Sequence, residues 1–287
     1  MSWVVLVASS IVLKAGGGIF RRRLLGRSNS ADPYVSAAFF NLFAGGLLVI
    51  VALVFGFKPF SIADVWVWIL INIGAAVLAD VLQFNAIKHI DAGNFAIIES
   101  TRIIWTIAGA TLFLGEGLSL IQLTAAMIIL GASILVLLPQ RSKTAYSALG
   151  FMLAGIFAAV YGLATIVDRI LFSVVDVISY LSIALLVQGL ILVLLYWKRM
   201  KKTKELFRKD NFVPFAGDVL FFVPSIVLLL EAIKRTDNLS LLSALLPLSI
   251  VLSVVLAAIF LRERDYLGHK VCGAFLAACG VAVLSWF

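Results

Sequence analysis

The chain contains two copies of one sequence pattern, and each copy holds an odd number of apolar segments. Ala86-Ile87-Lys88 recurs 146 residues later as Ala232-Ile233-Lys234, and Phe113-Leu114-Gly115-Glu116 recurs 147 residues later as Phe260-Leu261-Arg262-Glu263. Five apolar segments make up each copy. Two odd-span units that lie in one membrane must point in opposite directions. The sequence therefore predicts two inverted five-helix repeats, over residues 1–143 and 144–287.

The composition is that of a membrane protein. Hydrophobic residues make up 63% of the chain and charged residues 13%, whereas a soluble domain has about half apolar and a quarter charged residues. Lipid can solvate the excess apolar surface, and about 20 residues span the bilayer core as a helix. We therefore predict an all-α membrane protein with ten transmembrane helices, at 3–20, 34–56, 65–87, 92–113, 119–138, 147–171, 176–197, 212–233, 238–261 and 267–286.

The distribution of Lys and Arg predicts the orientation. Of the 23 basic residues, 17 fall in the connections that follow odd-numbered segments and four on the opposite side. The positive-inside rule then places both termini outside, in a multi-pass protein of the plasma (inner) membrane. The basic run Lys198–Lys209 fits anionic lipid headgroups, so the net charge of +8 does not indicate a nucleic-acid partner.

Each repeat has the same order of motifs. An Ala-x-Lys pattern precedes a short turn, a long helix then ends in Phe-Leu-x-Glu, and a helix rich in Gly and Ala follows. We expect Glu116 and Glu263, which end the motif, to cap a tight helix–helix turn at the membrane interface. The arrangement resembles the EamA-like branch of the drug/metabolite transporter superfamily over essentially the whole chain. The resemblance implies ten helices in two inverted halves around a central cavity that opens alternately to each side, with export of small metabolites, amino acids or drugs.

The first repeat departs from that family pattern. The family tends to carry a proline early in the long helix of each half, and Pro247 occupies this position in the second repeat. In the first repeat Ser100 stands there, between Glu99 and Arg102. We therefore expect the first half to replace the proline kink with two charged side chains.

Charged residues inside the predicted spans need a reason, because each costs roughly 2.5–3.5 kcal/mol at a span centre. Six stand out: Lys14, Asp80, Glu99, Arg102, Asp218 and Glu231. At 1.5 Å per residue, all but Glu231 lie within roughly 8 to 15 Å of the predicted cytoplasmic boundary. They could form a substrate or proton site that faces a water-filled cavity, or an internal ion-pair network that holds four helices together.

The site hypothesis uses both signs of charge. Arg102 and Lys14 would hold a carboxylate or phosphate, arginine through its fork of donors and lysine as a point charge. Protonation of Glu99 or Asp80 would change with the state of the cavity, which could couple transport to protons. Tyr161 aligns with Lys14 and would line the same cavity from the other half. The expected substrate-binding residues are Lys14, Glu99, Arg102, Tyr161 and Asp218.

The resulting hypothesis is a secondary active transporter, an exporter of a small polar metabolite such as an amino acid or another organic anion or zwitterion. A lipid or lipid-linked sugar flippase, or an uncoupled facilitator or exchanger of the same fold, are the alternatives. An enzyme is not expected, because the chain lacks paired His/Cys metal spacings and a Gly-rich phosphate loop. No cofactor or metal is predicted. The expected partners are the substrate and membrane lipid, with protons and a homodimer left open.

The two cysteines, Cys272 and Cys279, lie seven residues apart on one predicted helix. That spacing separates them by about 10 Å along the helix axis, too far for a disulfide. We expect both to be buried as small hydrophobic side chains.

Overall fold

The computed structural model describes residues 2–25, 32–90, 92–137, 147–260 and 267–286, and these residues form helices and connections without a strand. A π-helical turn, Ala110–Leu114, continues α5, and a 3₁₀ segment, Trp197–Lys202, precedes α9. The α-helices are α1 Trp3–Leu25, α2 Pro33–Phe55, α3 Ile62–His89, α4 Ala92–Ser100, α5 Arg102–Gly109, α6 Leu120–Leu137, α7 Ala148–Val174, α8 Val177–Leu195, α9 Thr203–Leu206, α10 Lys209–Arg235, α11 Leu239–Leu245, α12 Leu248–Phe260 and α13 Leu267–Trp286.

The helices have the length and hydropathy of membrane spans. Seven segments of the described chain are long and apolar enough to cross a membrane: Trp3–Arg21, Pro33–Phe55, Ile62–Ala86, Asn94–Leu114, Ala148–Val174, Val177–Leu195 and Lys209–Arg235. Shorter apolar helices occupy Leu120–Leu135, Leu239–Ser253 and Val271–Val283. The prediction of an all-helical, multi-pass membrane protein is confirmed at this level, and the count of ten spans stays a prediction.

The fourth and the ninth predicted segments are each interrupted. In the second repeat, α11 ends at Leu245 and α12 begins at Leu248, around Pro247. In the first repeat, α4 ends at Ser100 and α5 begins at Arg102, so the expectation that the first half lacks the break was wrong.

Two hydroxyl groups take the place of the proline in the first repeat. Ser100 donates to the carbonyl of Ile97 and Thr101 to that of Ile98, each at 2.6 Å. The backbone N–H of Thr101 also bonds to Ile98, three residues back rather than four. Side-chain bonds to preceding carbonyls compete with the α-helical ladder, and they interrupt it here without a proline.

The helices pack in pairs that the repeat relates to one another. Helix α1 packs along α10, and α3 packs along α7. Because α7 and α3 are the counterparts of α1 and α10 in the other repeat, these two pairs are equivalent. Helix α2 packs on its own counterpart α8, and α6 packs on its counterpart α13.

These contacts define two helix groups. The first group contains α1, α10, α11 and α12, and the second contains α7, α3, α4 and α5. Each group therefore combines one helix from one half of the chain with helices from the other half. The contacts between the two groups, such as α5 with α11 and α7 with α10, are much less extensive than the α1–α10 and α3–α7 contacts within them.

Helix α13 lies at the edge of the bundle, where it packs on α6 and α12. Both Cys272 and Cys279 are free and exposed there, so the expectation that they are buried was wrong. An outward-facing position on a membrane helix is apolar surface in contact with lipid, and a sequence pattern alone does not separate it from core.

Candidate functional site

Three of the predicted site residues meet at the break between α4 and α5. Glu99 lies in the last turn of α4 and Arg102 is the first residue of α5, with 4.0 Å between Oε1 of Glu99 and Nη1 of Arg102. The guanidinium carbon of Arg102 lies 4.9 Å from the ring centroid of Tyr161 on α7. The break thus places a carboxylate, a guanidinium and an aromatic ring together inside the bundle.

Lys14 joins this set from α1. Its side chain is exposed, yet the charges that act on it are those of Arg102, Glu99 and Arg21. Tyr161 is 37% exposed although the Arg102 guanidinium covers its ring. Side chains that are accessible and also flanked by charges from other helices line an internal polar space rather than face lipid. We call Lys14, Glu99, Arg102 and Tyr161 the central cluster.

Asp218, the fifth predicted binding residue, has a different partner. Its Oδ2 accepts a hydrogen bond from Nε of Arg21 at 2.8 Å, and its side chain is buried. Arg21 also lies over the ring of Phe40, with 5.3 Å between the guanidinium carbon and the centroid. The Arg21–Asp218 ion pair joins α1 to α10 within the first helix group.

Sequence reasoning missed Arg21 because it assigned this residue to the connection after the first span. Helix α1 continues to Leu25 in the structure. Arg21 follows Lys14 by seven residues, which is close to two helical turns and places both side chains on one face. That spacing was the signal that could have found it.

Asp80, a predicted proton-coupling residue, is held by two amides. Its Oδ2 accepts hydrogen bonds from Nδ2 of Asn41 at 3.1 Å and from Nε2 of Gln188 at 2.9 Å. Asn41 and Gln188 lie on α2 and α8 and are 147 residues apart, so they are equivalent positions of the repeat. Arg21 is the cation that acts on Asp80.

A partly buried acid lies in the second helix group, and sequence reasoning missed it. Oδ1 of Asp168 on α7 accepts a hydrogen bond from Nδ2 of Asn72 on α3 at 2.7 Å. The hydroxyl of Tyr180 on α8 donates to Oδ1 of Asn72 at 2.9 Å. Asp168 is the repeat counterpart of Arg21, and it lies inside the predicted span 147–171, so an acid within that apolar segment was the signal that could have found it.

Glu116 and Arg169 enclose the turn between α10 and α11. Arg169 donates through Nη1 to the carbonyls of Ile233 at 2.5 Å and Lys234 at 3.0 Å, at the C-terminal end of α10. The carboxylate of Glu116 accepts the backbone N–H of Leu239, the first residue of α11. A cation at a helix C-terminus and an anion at a helix N-terminus both complement the helix dipole.

Further contacts reinforce this arrangement. The carbonyl of Glu116 accepts a hydrogen bond from Ser240 at 2.9 Å, and the carbonyl of Gly117 accepts one from Nδ2 of Asn238 at 3.1 Å. Gly115 ends the preceding π turn in the left-handed region, with φ of 69°, which directs Glu116 towards α11. We call the contacts of Glu116 and Arg169 with the α10–α11 turn the turn clamp.

The turn clamp connects the two helix groups. Arg169 lies on α7, and Glu116 follows the π-helical turn that continues α5, so both come from the second group. Helices α10 and α11 belong to the first group. Glu116 caps a helix turn, as the sequence indicated, and the turn is that of the other repeat. Its counterpart Glu263 lies outside the described residues.

Glu231 stays apart from these contacts. It pairs with Arg235 one turn later on α10, with 2.9 Å between Oε2 and Nη2. A pair of this kind on one exposed helix face contributes little to stability.

A cleft of about 460 Å³ opens at the clamped end of the bundle, between the α2–α3 and α7–α8 connections. Lys58, Asp64, Asp176 and Lys234 are among its lining residues, so it lies apart from the central cluster. Partial burial opposes the charge of Asp176, but the backbone N–H and hydroxyl of Ser179 and the Lys58 ammonium outweigh it and lower the pKa of Asp176.

No group of three or more His, Cys, Asp or Glu side chains that could hold a metal ion occurs within the described part of the chain. The polar groups that converge inside the bundle are suited to binding charged or hydrogen-bonding small molecules.

Comparison with known proteins supports the fold and the repeat pattern. The sequence model of the EamA-like transporter family matches residues 1–138 and again residues 148–286. A crystal structure of another protein superposes with a TM-score of 0.81 over 98% of this chain and 95% of that chain, at 15% sequence identity. At that identity the likeness shows a shared fold. No curated protein matches the sequence.

Proposed function

The chain belongs to the EamA-like transporter family, and we propose that it is a secondary transporter that exports a small polar metabolite by alternating access. The proposed substrate is an amino acid or another organic anion or zwitterion. The proposed location is the inner (plasma) membrane with both termini outside, because the basic connections then lie on the cytoplasmic side.

The observation that carries this proposal is the central cluster. Lys14 and Arg102 bring two cations to one internal space, and a carboxylate or phosphate would neutralise their mutual repulsion. Arg102 has a planar fork suited to two oxygens, and its guanidinium lies over the ring of Tyr161. Glu99 at 4.0 Å from Arg102 could receive the amino group of a zwitterion.

The helix groups support alternating access as the mechanism. The Arg21–Asp218 and Asn72–Asp168 contacts each lie within one group, so both can persist while the groups move. The turn clamp joins the groups and would have to open when the substrate passes its end of the bundle. Bistable contacts between rigid groups are the physical basis of such transitions.

Proton coupling is part of the proposal, with Glu99 of the central cluster and Asp80 on α3 as the carboxylates. A carboxylate that gains a cation in one state and loses it in the other changes its affinity for protons. Glu99→Gln should abolish proton-driven transport but spare counterflow exchange. Loss of both activities together with loss of protein would indicate a structural role for Glu99.

The test is a thermal-shift screen of the purified protein against amino acids, phosphate esters, nucleotide sugars and cationic drugs. A true ligand binds the folded state and therefore raises the melting temperature further as its concentration increases. Arg102→Ala should remove the shift caused by anionic compounds. Arg199→Ala is the matched control, because Arg199 also stacks on a tyrosine, Tyr34, and pairs with an acid, Asp32, but outside the central cluster.

The outcomes separate the candidate substrate classes. A shift by anionic compounds that survives Arg102→Ala would contradict the central cluster as the binding site. A shift by cationic drugs alone would move the site to the acidic side chains. Lipid scrambling by the protein in liposomes, without a response to any soluble compound, would favour a flippase of the same fold.

A further inference from the structure

Asp168 and Asn72 occupy repeat positions equivalent to Arg21 and Asp218, but their charges do not balance. Arg21 and Asp168 are 147 residues apart, and Asn72 and Asp218 are 146 apart, the two offsets of the repeated motifs. In the α1–α10 pair, a guanidinium meets a carboxylate at 2.8 Å. In the equivalent α7–α3 pair, a carboxylate meets a neutral amide at 2.7 Å. The second contact therefore holds an intramembrane acid without the counter-charge of the first.

The arginines on α7 and on the helices α5 and α10 that pack against it have other partners. Within the described chain, no cation acts on its carboxylate, and Asn72 supplies the one hydrogen bond to it. Its chain neighbour Arg169 on α7 donates to carbonyls of α10, and Arg102 on α5 stacks on Tyr161. On α10, Arg235 is engaged by Glu231.

The remaining titratable groups around Asp168 are neutral or acidic. Tyr161 on its own helix and Tyr180 on α8 are phenols whose charge would interact with it. Asp80 lies two turns from Asn72 on α3 and is a further acid. These neighbours add no positive charge, so a proton is the cation that can neutralise Asp168 in place.

The other acids inside the bundle are better stabilised as carboxylates. Asp218 has Arg21, Glu99 has Arg102, and Asp80 accepts two amide hydrogen bonds on one oxygen. Opposite charges and hydrogen bonds to the ionised form both favour that form. Asp168 has one amide donor and no cation, which makes its ionised form the least supported among the described intramembrane acids.

The hydrogen bonds also identify the oxygen that is available. The Tyr180 hydroxyl donates to Oδ1 of Asn72, which turns the amide nitrogen of Asn72 towards Oδ1 of Asp168. Oδ2 of Asp168 receives no hydrogen bond from the described residues. The described side-chain atoms that are fully buried without a partner are the hydroxyls of Ser36 and Ser243, so Oδ2 of Asp168 is open to a molecule of the size of water.

We propose that Oδ2 of Asp168 is a proton-binding site of the transport cycle, an inference that rests on the proposed transport function. The proton comes from water and returns to water, and no other bond forms or breaks. Because Asn72 bonds to Oδ1, the α3–α7 contact stays intact in both protonation states. The second helix group can thus change its charge by one unit while the α3–α7 contact is kept.

The experiment is infrared difference spectroscopy of the purified full-length protein in lipid nanodiscs, with the buffer stepped from alkaline to acidic. The measured signal is the carbonyl stretch of a protonated carboxylic acid. Wild-type protein and Asp218→Asn, the matched acid with an arginine partner, should both show a first band that appears before the other carboxylates of the chain are protonated, because the ionised form of Asp168 is the least supported. Asp168→Asn should lose this first band, and Asp168→Glu should retain it at a shifted frequency.

A full band in Asp168→Asn, or loss of the band in Asp80→Asn instead, would overturn the proposal. Asn72→Lys provides a second test that keeps the carboxylate and gives it a counter-charge. This variant should also lose the band, and an unchanged band would contradict the argument. The infrared signal needs no substrate, so it is independent of ligand binding. If Asp168 titrates in a protein that binds no ligand at the central cluster, the proposed function is contradicted and the proton-binding site is not.

Discussion

Asn41 and Gln188 occupy equivalent positions in the two repeats and donate to the same atom, Oδ2 of Asp80, at 3.1 and 2.9 Å. They lie on α2 and α8, the two counterpart helices that pack on each other. Because α10 is the repeat counterpart of α3, an exact repeat would place two acids beside Asn41 and Gln188, one on α3 and one on α10. Ile226 stands at the second position, 146 residues after Asp80, so one acid takes the donors of both halves.

Removal of either donor to Asp80 should destabilise the protein. Asn41→Leu and Gln188→Leu should each lower the free energy of unfolding by about 1.5 kcal/mol, the lower end for a hydrogen bond to a charged group. Thermal unfolding of the purified protein in detergent measures the change. In the Asp80→Asn background, both substitutions should cost less, because the bonds no longer end on a charge. Equal costs in both backgrounds would show that Asn41 and Gln188 act independently of Asp80.

Substitutions of Tyr161 should separate its ring from its hydroxyl. The contact with Arg102 is a cation–π contact, worth roughly 1 kcal/mol or more when desolvated. Tyr161→Ala should therefore weaken binding of an anionic ligand about tenfold, whereas Tyr161→Phe should leave it nearly unchanged. Isothermal titration with the ligand found in the thermal-shift screen makes the comparison. Equal weakening in both variants would assign the effect to the hydroxyl.

Loss of the turn clamp should open its end of the bundle. Glu116→Gln removes the charge that caps α11 and should increase the labelling rate of a cysteine at Ser240 by a membrane-impermeant maleimide several-fold. The background needs Cys272 and Cys279 replaced by serine, since both are exposed. Glu231→Gln, which breaks an ion pair within one helix, should leave the rate unchanged. An equal labelling rate in both variants would contradict a role of the turn clamp in closing this end of the bundle.

A methyl group at Gly162 should disrupt the packing of α7 against α5, the helix that carries Arg102. A Cβ there would lie 2.6 Å from the carbonyl of Arg102 and 2.8 Å from Cβ of Trp105, at the crossing of α7 and α5. Gly162→Ala should cost about 1–3 kcal/mol through overpacking. Gly155, two turns earlier on α7, has nothing within 4 Å, and Gly155→Ala should be neutral or slightly stabilising. The melting temperatures of the two variants test this prediction. Equal shifts would contradict the close approach of α7 and α5 at Gly162.

Acid should destabilise the protein through Asp176. The pKa of Asp176 is lowered in the folded state, so its contribution to stability is fully present above its unfolded pKa of about 3.9. That contribution is lost as the pH falls through the lower, folded value. Asp176→Asn keeps the N-cap of α8 but removes the charge, and it should flatten the acid side of a plot of melting temperature against pH. An unchanged plot would mean that Lys58 and Ser179 do not stabilise the ionised form.

The depth of a residue in a span was predictable from the sequence, and its partner was not. Lys14, Glu99 and Arg102 lie at one predicted depth because helical rise is constant, and the structure brings them together. Asp218 has the same predicted depth but faces Arg21. The rotation of each helix about its axis and the choice of neighbouring helix decide which partner a charged side chain meets. A local pattern in one sequence does not encode that rotation or that choice.

The helix break in the first repeat was missed for a related reason. A proline interrupts a helix wherever it stands, because it lacks an N–H. Serine and threonine interrupt it when their hydroxyls turn back to preceding carbonyls, and elsewhere they leave it intact. Whether Ser100 and Thr101 do so depends on the helices around them.

The turn clamp also sets an order for assembly in the membrane. Glu116 and Arg169 both precede the α10–α11 turn in the chain, so a ribosome delivers the two capping groups before the turn that they hold. Polar backbone ends have no water to bind in the bilayer core. The α10–α11 turn therefore enters a membrane in which Glu116 of the first half and Arg169 on α7 are already present, whereas the second half synthesised alone would lack the Glu116 cap on α11.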